Sequence, residues 1–206
     1  MAHEPSIESP RRGRPRSEEA RTAILSAAIE LAFRHGVQAM TMDEVAARAG
    51  VSKATIYRWW PSKELLVLDA LQDEIDATIP TTAVETGTLR GDLLARSRLW
   101  METMQSRPFA RVFATMLAHQ QTDEAFASKY FERFVQPRRE AARRPLERAI
   151  ETGELPPDTD IELAIELLYA PLWQRLLYLP GSIDDAFIER VVDTALAGLK
   201  ATARGS

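Results

Sequence analysis

Apolar positions along the chain recur at three- and four-residue spacings, the period of a helix, and nowhere alternate as a half-buried strand would. A first helix is expected to start at Ser17, a good N-cap, with Glu18 and Glu19 in its positive first turn. Ile24, Leu25, Ala28, Leu31 and Ala32 then share one face, and Gly36 ends the helix. Thr41 and Glu44 have capping-box spacing and predict a second helix that buries Val45, Ala46 and Ala49 and breaks at Gly50. Ser52 caps a third helix through Trp59, and Pro61-Ser62 opens a fourth at Lys63. Beyond Leu65 the pattern predicts helices at 62–78, 89–105, 107–120, 123–152, 159–179 and 184–201, with breaks at 81–88, 153–159 and Pro180-Gly181. Pro137 and Pro145 should kink or divide the 123–152 segment. The expected fold is all-α: a disordered basic arm at 1–16, a three-helix helix-turn-helix head at 17–63, and a larger helical domain at 64–206 for effector binding and dimerisation.

Composition narrows the class. No run of about twenty apolar residues exists, and Met1 to Pro10 lacks the hydrophobic core of a secretory signal, so a cytoplasmic protein is expected. The absence of cysteine removes thiolate chemistry and disulfides. The net charge of −4 is uneven, with nine basic against seven acidic residues in the first 60. Arg11, Arg12, Arg14 and Arg16 crowd the arm, and phosphate affinity follows local charge rather than the total.

Residues 41–60 have helix-turn-helix anatomy. Ala46, Ala47 and Ala49 let a second helix cross closely, Gly50 makes the turn, and Val51 and Ile56 plug the gap. Ser52, Lys53, Thr55, Tyr57 and Arg58 should then face outward, near the helix end that enters a major groove. Lys53 and Arg58 can donate to guanine or phosphate, and Thr55 can meet a thymine methyl. Lys63, opening the next helix, is placed to hold a phosphate. A helical bundle with a solvated surface would show the same anatomy.

The run Thr41 to Leu66, TMDEVAARAGVSKATIYRWWPSKELL, resembles the signature of the TetR family of bacterial repressors, departing from it at Trp60, where the family usually has phenylalanine. The resemblance implies DNA contact by a set comprising Thr41, Ser52, Lys53, Thr55, Tyr57, Arg58, Trp59 and Lys63. It also implies a homodimer, an inverted-repeat operator, and a C-terminal domain that releases DNA when a small molecule binds. Phe134-x-x-Pro137-Arg138-Arg139 and Gly153-Glu154-Leu155 are similar to one subtype of that domain.

In the arm, Arg12-Gly13-Arg14-Pro15-Arg16 is similar to AT-hook peptides that lie extended in a narrow minor groove; a tail touching phosphates loosely is the alternative. The last two helices are apolar on more than one side, so each must bury two faces. A symmetry mate can cover the second, with Leu172 and Val192 expected there, or the helices can be central in a monomer. Trp100, Met104, Phe113, Met116, Tyr169 and Trp173 are the candidates for lining a cavity for an apolar effector, although such stripes also serve as plain core. His3, His35 and His119 are scattered, no glycine loop for phosphates is present, and Ser52 has no local base. Neither an enzyme, a metal site nor a cofactor is expected, and the Arg138–Arg148 run reads as a solvated helix face.

Overall fold

The computed structural model describes residues 14–79, 85–178 and 183–202. Among the described residues ten α-helices follow one another: α1 (Arg14–His35), α2 (Met42–Ala49), α3 (Lys53–Trp59), α4 (Lys63–Thr78), α5 (Leu89–Met104), α6 (Arg107–Gln120), α7 (Glu124–Tyr130), α8 (Gln136–Glu151), α9 (Ile161–Tyr178) and α10 (Asp185–Thr202). No strand occurs among the described residues. Side-chain caps explain why the boundaries fall where they do. Thr41, Ser52, Ser62, Thr88 and Asp123 each accept a hydrogen bond from a backbone N–H in the first turn that follows, satisfying donors that would otherwise have no partner.

α1 begins at Arg14, three residues before Ser17, so Ser17 lies inside the helix and is not its cap. Pro15 sits in the first turn, where its missing N–H costs nothing, and the helical start extends into the arm for that reason. The disordered arm expected at 1–16 therefore gives way to helix at Arg14.

The head packs α1 against α2 and α4, with α3 crossing α2. Ile24, Leu25, Ala28, Val45, Ile56, Leu66 and Leu68 are almost fully buried and form its core. In the body α5 packs on α8 and α10, and α9 lies against α8 and α10. Asp92, buried in this core, is fully answered: its carboxylate accepts from Thr86 N at 2.6 Å, from Thr86 Oγ1 at 2.8 Å and from the Arg148 guanidinium. The loop before α5 is thereby fastened to α8.

Head and body meet where α6 packs on α1 and where α4 packs on a five-residue π segment, Phe131–Val135, between α7 and α8. Pro137 stands just downstream, in the first turn of α8, and has no N–H to extend a regular ladder back through this region. The extra residue per turn is accommodated as a π segment, so the chain stays one continuous rod from Glu124 to Glu151 instead of dividing.

Leu172 and Val192 have no exposed surface. They belong to the body's own core, which corrects the expectation that they face a partner. The unpartnered face of α9 lies elsewhere, where Leu163 and Leu167 are 48% and 43% exposed, one turn apart. Beside it α10 exposes Ala186, Thr194, Ala197 and Ala201, a small-residue face that permits close helix approach.

Candidate nucleic-acid interface and effector cavity

α2 is held in place by a complete capping box. Thr41 N donates to Glu44 Oε2 at 2.9 Å, and Glu44 N donates to Thr41 Oγ1 at 3.2 Å. These bonds from Thr41, side chain foremost, hold the Glu44 carboxyl below its ordinary range. Gly50, at φ +66°, makes the reversal that an L side chain would strain, and Val51 N closes the turn on Ala46 O at 3.1 Å. Ile56, with no exposure, then locks α3 across α2. The recognition segment is therefore fixed by packing on its inner side and by caps at its start.

The outer face of α3 presents Lys53, Ala54, Tyr57 and Arg58, with Ser52 at its leading end; Tyr57 is 49% exposed. Lys53 Nζ lies 2.8 Å from Asp43 Oδ1, and both groups are in solvent. An exposed pair of this kind contributes little to stability, so the ammonium can exchange Asp43 for a phosphate or a base. The Arg58 guanidinium rests over the Trp59 ring, 5.2 Å from its centroid.

Other expected contacts are placed differently. Thr55 is half-buried, its hydroxyl 2.9 Å from Ser52 Oγ. Trp59 turns inward, edge-on to Trp60 at 5.6 Å, and packs against the core. Lys63 Nζ donates to Gln38 O at 2.9 Å and Met40 O at 3.4 Å, binding the α1–α2 loop to the start of α4 and leaving one N–H for an outside acceptor. Thr41 is exposed, but its hydroxyl is engaged in the cap. Arg12 lies outside the described residues, as do the side chains of Arg14 and Arg16.

A cavity of about 780 Å³, open on one side, lies between α4, α5, α6, α7, the π segment, α8 and α9. Trp100, Phe113, Tyr169 and Trp173 line it, as expected. Met104 and Met116 do not; both are fully buried in the core beneath it, because helical spacing could not separate the cavity side from the packed side. Phe113 and Trp173 stack at 4.6 Å with 13° between planes, and Trp100 meets Trp173 edge-on at 5.7 Å, making an aromatic wall.

Arg138, expected on a solvated face, is among the lining residues that the sequence did not reveal. Its guanidinium stacks on Phe134 at 3.7 Å, and Nη1 donates to Gln72 Oε1 at 2.9 Å and to the Phe134 carbonyl. Burial lowers its pKa to about 10, which leaves it a cation at neutral pH. Solvated pairing does hold within the same run for Arg143, which reaches Glu140 and Glu147.

Asp69 of α4 was also not anticipated. It accepts from the Trp60 indole Nε1 at 2.8 Å and from Arg133 Nη1, in the π segment, at 2.5 Å. Trp60 caps the C-terminus of α3, so one carboxylate connects the recognition helix to the rim of the cavity. Among the described residues no group of three or more His, Asp or Glu could hold a metal ion, and no helix is long and apolar enough to cross a membrane.

Residues 24–70 match the family model for bacterial regulatory proteins of the tetR family, and residues 83–195 match the model for a tetracyclin repressor-like C-terminal domain. An uncharacterised HTH-type transcriptional regulator of Bacillus subtilis, YdeS, is 38% identical over 93% of this chain and 96% of its own length. The DNA-binding transcriptional repressor TetR of Mycobacteroides abscessus is 35% identical over 88% of this chain and 94% of its own. Among solved structures, the TetR family regulator SCO0332 superposes with a TM-score of 0.75 at 34% identity, covering 87% of this chain and 98% of that one. At 17% identity and a TM-score of 0.65, the regulator FadR of Bacillus subtilis, solved in complex with stearoyl-CoA, shares the fold; 87% of this chain and 97% of that one are covered.

Proposed function

The chain belongs to the TetR family of DNA-binding transcriptional regulators, which are not enzymes, and on that premise we propose that it is a homodimeric repressor released from an inverted-repeat operator by a small hydrophobic molecule. The observation that carries the reading is the pairing of a rigidly presented helix, bearing Lys53, Tyr57 and Arg58 outward, with a large aromatic cavity whose wall includes α4 of the head. It acts on double-stranded DNA in the bacterial cytoplasm, at the nucleoid, and needs no cofactor.

Dimerisation uses the exposed face of α9, Leu163 and Leu167, set beside the small residues of α10. Two such helices from each protomer form a four-helix contact with twofold symmetry. Twofold symmetry brings two copies of α3 to successive major grooves, about 34–36 Å apart, and makes the operator a palindrome.

Release follows from the position of α4. Gln72, Ile75 and Asp76 line the cavity, while Leu65, Leu66 and Leu68 of the same helix are packed into the head. A ligand that favours a different setting of α4 moves α3 through Trp60 and Asp69, and separates the two recognition helices from groove spacing. FadR of Bacillus subtilis, which shares the fold, was solved in complex with stearoyl-CoA, and this supports reading the chain as a ligand-binding regulator.

Alanine variants test the DNA half of the reading, assayed on an operator and a scrambled duplex at several salt concentrations. Lys53→Ala is expected to cost about 1–3 kcal/mol and to relax preference at one operator position, as a base-reading residue does, and Thr55→Ala should do the same if the half-buried Thr55 reaches the groove beside Ser52. Lys63→Ala should weaken all sequences alike and lower the salt slope by roughly one unit. Tyr57→Ala and Arg58→Ala fall in one class or the other, and the same assay assigns each. Unchanged affinity and preference in all five variants would reject α3 as the reading helix.

A further inference from the structure

We propose that the effector is an organic acid whose single carboxylate is held by Arg138, with its apolar body against the aromatic wall. The inference rests on reading the cavity as the effector site and adds the chemistry of what fills it. The cavity is aromatic on one side, and Arg96, Arg138 and Arg139 bring cations to its lining. Trp100, Phe113 and Trp173 supply the apolar surface, and the Arg138 guanidinium is stacked flat on Phe134 and 5.3 Å from the centroid of Trp100. Stacking occupies the faces of the guanidinium and leaves its in-plane N–H edge to make hydrogen bonds.

Nη1 is already used, by Gln72 Oε1 and the Phe134 carbonyl. Nε and Nη2 have no hydrogen-bond partner and are covered by protein, so a ligand reaches them through a shift of the guanidinium; among the described residues no carboxylate lies within ion-pair distance of Arg138, and Asp76, which lines the same cavity, acts on it electrostatically. These two nitrogens are adjacent donors on one edge, the pair whose spacing matches the two oxygens of a carboxylate. A buried cation with unmet donors destabilises the empty cavity, and an entering carboxylate meets both needs at once. An oxygen of a neutral alcohol or phenol meets only one donor and leaves the charge unanswered.

Two other charges of the lining are paired or hydrogen-bonded. Arg139 pairs with Glu162 and, at 3.7 Å, with Glu166, while Asp76 accepts from Gln72 Nε2 at 2.6 Å. Arg96 also lines the cavity and acts electrostatically on the Tyr169 hydroxyl, which is enclosed there without hydrogen-bond geometry to any acceptor or donor. Burial raises the Tyr169 pKa, with Arg96 opposing, so the hydroxyl stays protonated and can donate to an anion. A ligand carboxylate at Arg138 is bonded to a cation that also bonds Gln72 of α4, so occupancy reaches the helix that carries the head.

The probes are 2-naphthoate and 1-pyrenebutyrate, each beside its primary amide, which has nearly the same shape and no charge. Binding is read by quenching of Trp100 and Trp173 and by calorimetry on the full-length protein. Each acid should bind about tenfold or more tightly than its amide, as expected of charge-assisted bonds to an enclosed cation. Arg138→Met should bring acid and amide to equal affinity by weakening the acid alone, and Arg138→Lys should keep part of the preference. Amides binding as well as acids to the wild-type protein would overturn the carboxylate assignment while leaving the cavity as the effector site. No binding of any of the four probes would overturn both.

Discussion

Leu163→Glu/Leu167→Glu is expected to give a folded monomer whose operator affinity falls about a hundredfold or more. Both leucines are close to half-exposed on α9, so the substitutions remove no packing from the protomer's own core. Four carboxylates brought together across a twofold axis would instead repel, and like charges so placed cost several kcal/mol. A dimer binds its second half-site intramolecularly, at an effective concentration in the millimolar range, and a monomer forfeits that gain of about 10²–10⁴. Sedimentation at micromolar concentration and operator titration read the two effects separately. A variant that still sediments as a dimer would move the interface off α9.

The contrast with Leu172→Glu checks the same point from the opposite side. Leu172 is fully buried within the protomer, so its loss should unfold the body rather than dissociate it. Periodicity alone could not make this distinction. It showed that α9 is apolar on two sides, but which side meets α8 and α10 depends on how the helices pack, and packing is set by residues distant in sequence.

The second large effect concerns Asp69. Asp69→Ala removes the acceptor for both Trp60 Nε1 and Arg133, and so severs the polar link between α3 and the π segment. It leaves the indole N–H unpaired in a site where Trp60 is only 3% exposed, which costs about 1–3 kcal/mol of stability. The distinctive consequence is in coupling. In the wild-type protein an acid bound in the cavity should weaken operator binding, and operator should weaken acid binding by the same factor, expected at about 5–150-fold. In Asp69→Ala both factors should fall towards one while each ligand alone still binds. Coupling that survives at full strength would route the signal through the remaining contacts between the domains, where Arg138 of α8 donates to Gln72 of α4 and Arg111 of α6 donates to the Phe33 carbonyl near the end of α1.

The parts legible in the sequence are those governed by local chemistry. Caps at Thr41, Ser52 and Ser62 and the left-handed turn at Gly50 place α2, α3 and α4 within a residue or two, because a short polar side chain and a backbone N–H settle each boundary between neighbours. The parts that escaped depend on distant partners. Arg138 reads as a surface residue in a charged run, and only the fold sets it on Phe134 beneath Trp100. Lys63 reads as a free cation, yet the α1–α2 loop, more than twenty residues upstream, supplies the carbonyls it binds. Met104 and Met116 share helix faces with true lining residues and differ from them only in depth.

The central claim, a twofold-symmetric reader of DNA, is tested most directly by selecting sequences that the full-length protein binds from random duplex DNA. The account predicts a palindrome whose half-sites are centred one helical turn apart, about 10–10.5 base pairs, or a multiple of that spacing. Lys53→Ala should relax the preference at the same position in both halves. Recovery of no enriched motif, or of a single asymmetric site bound by one protomer, would contradict it.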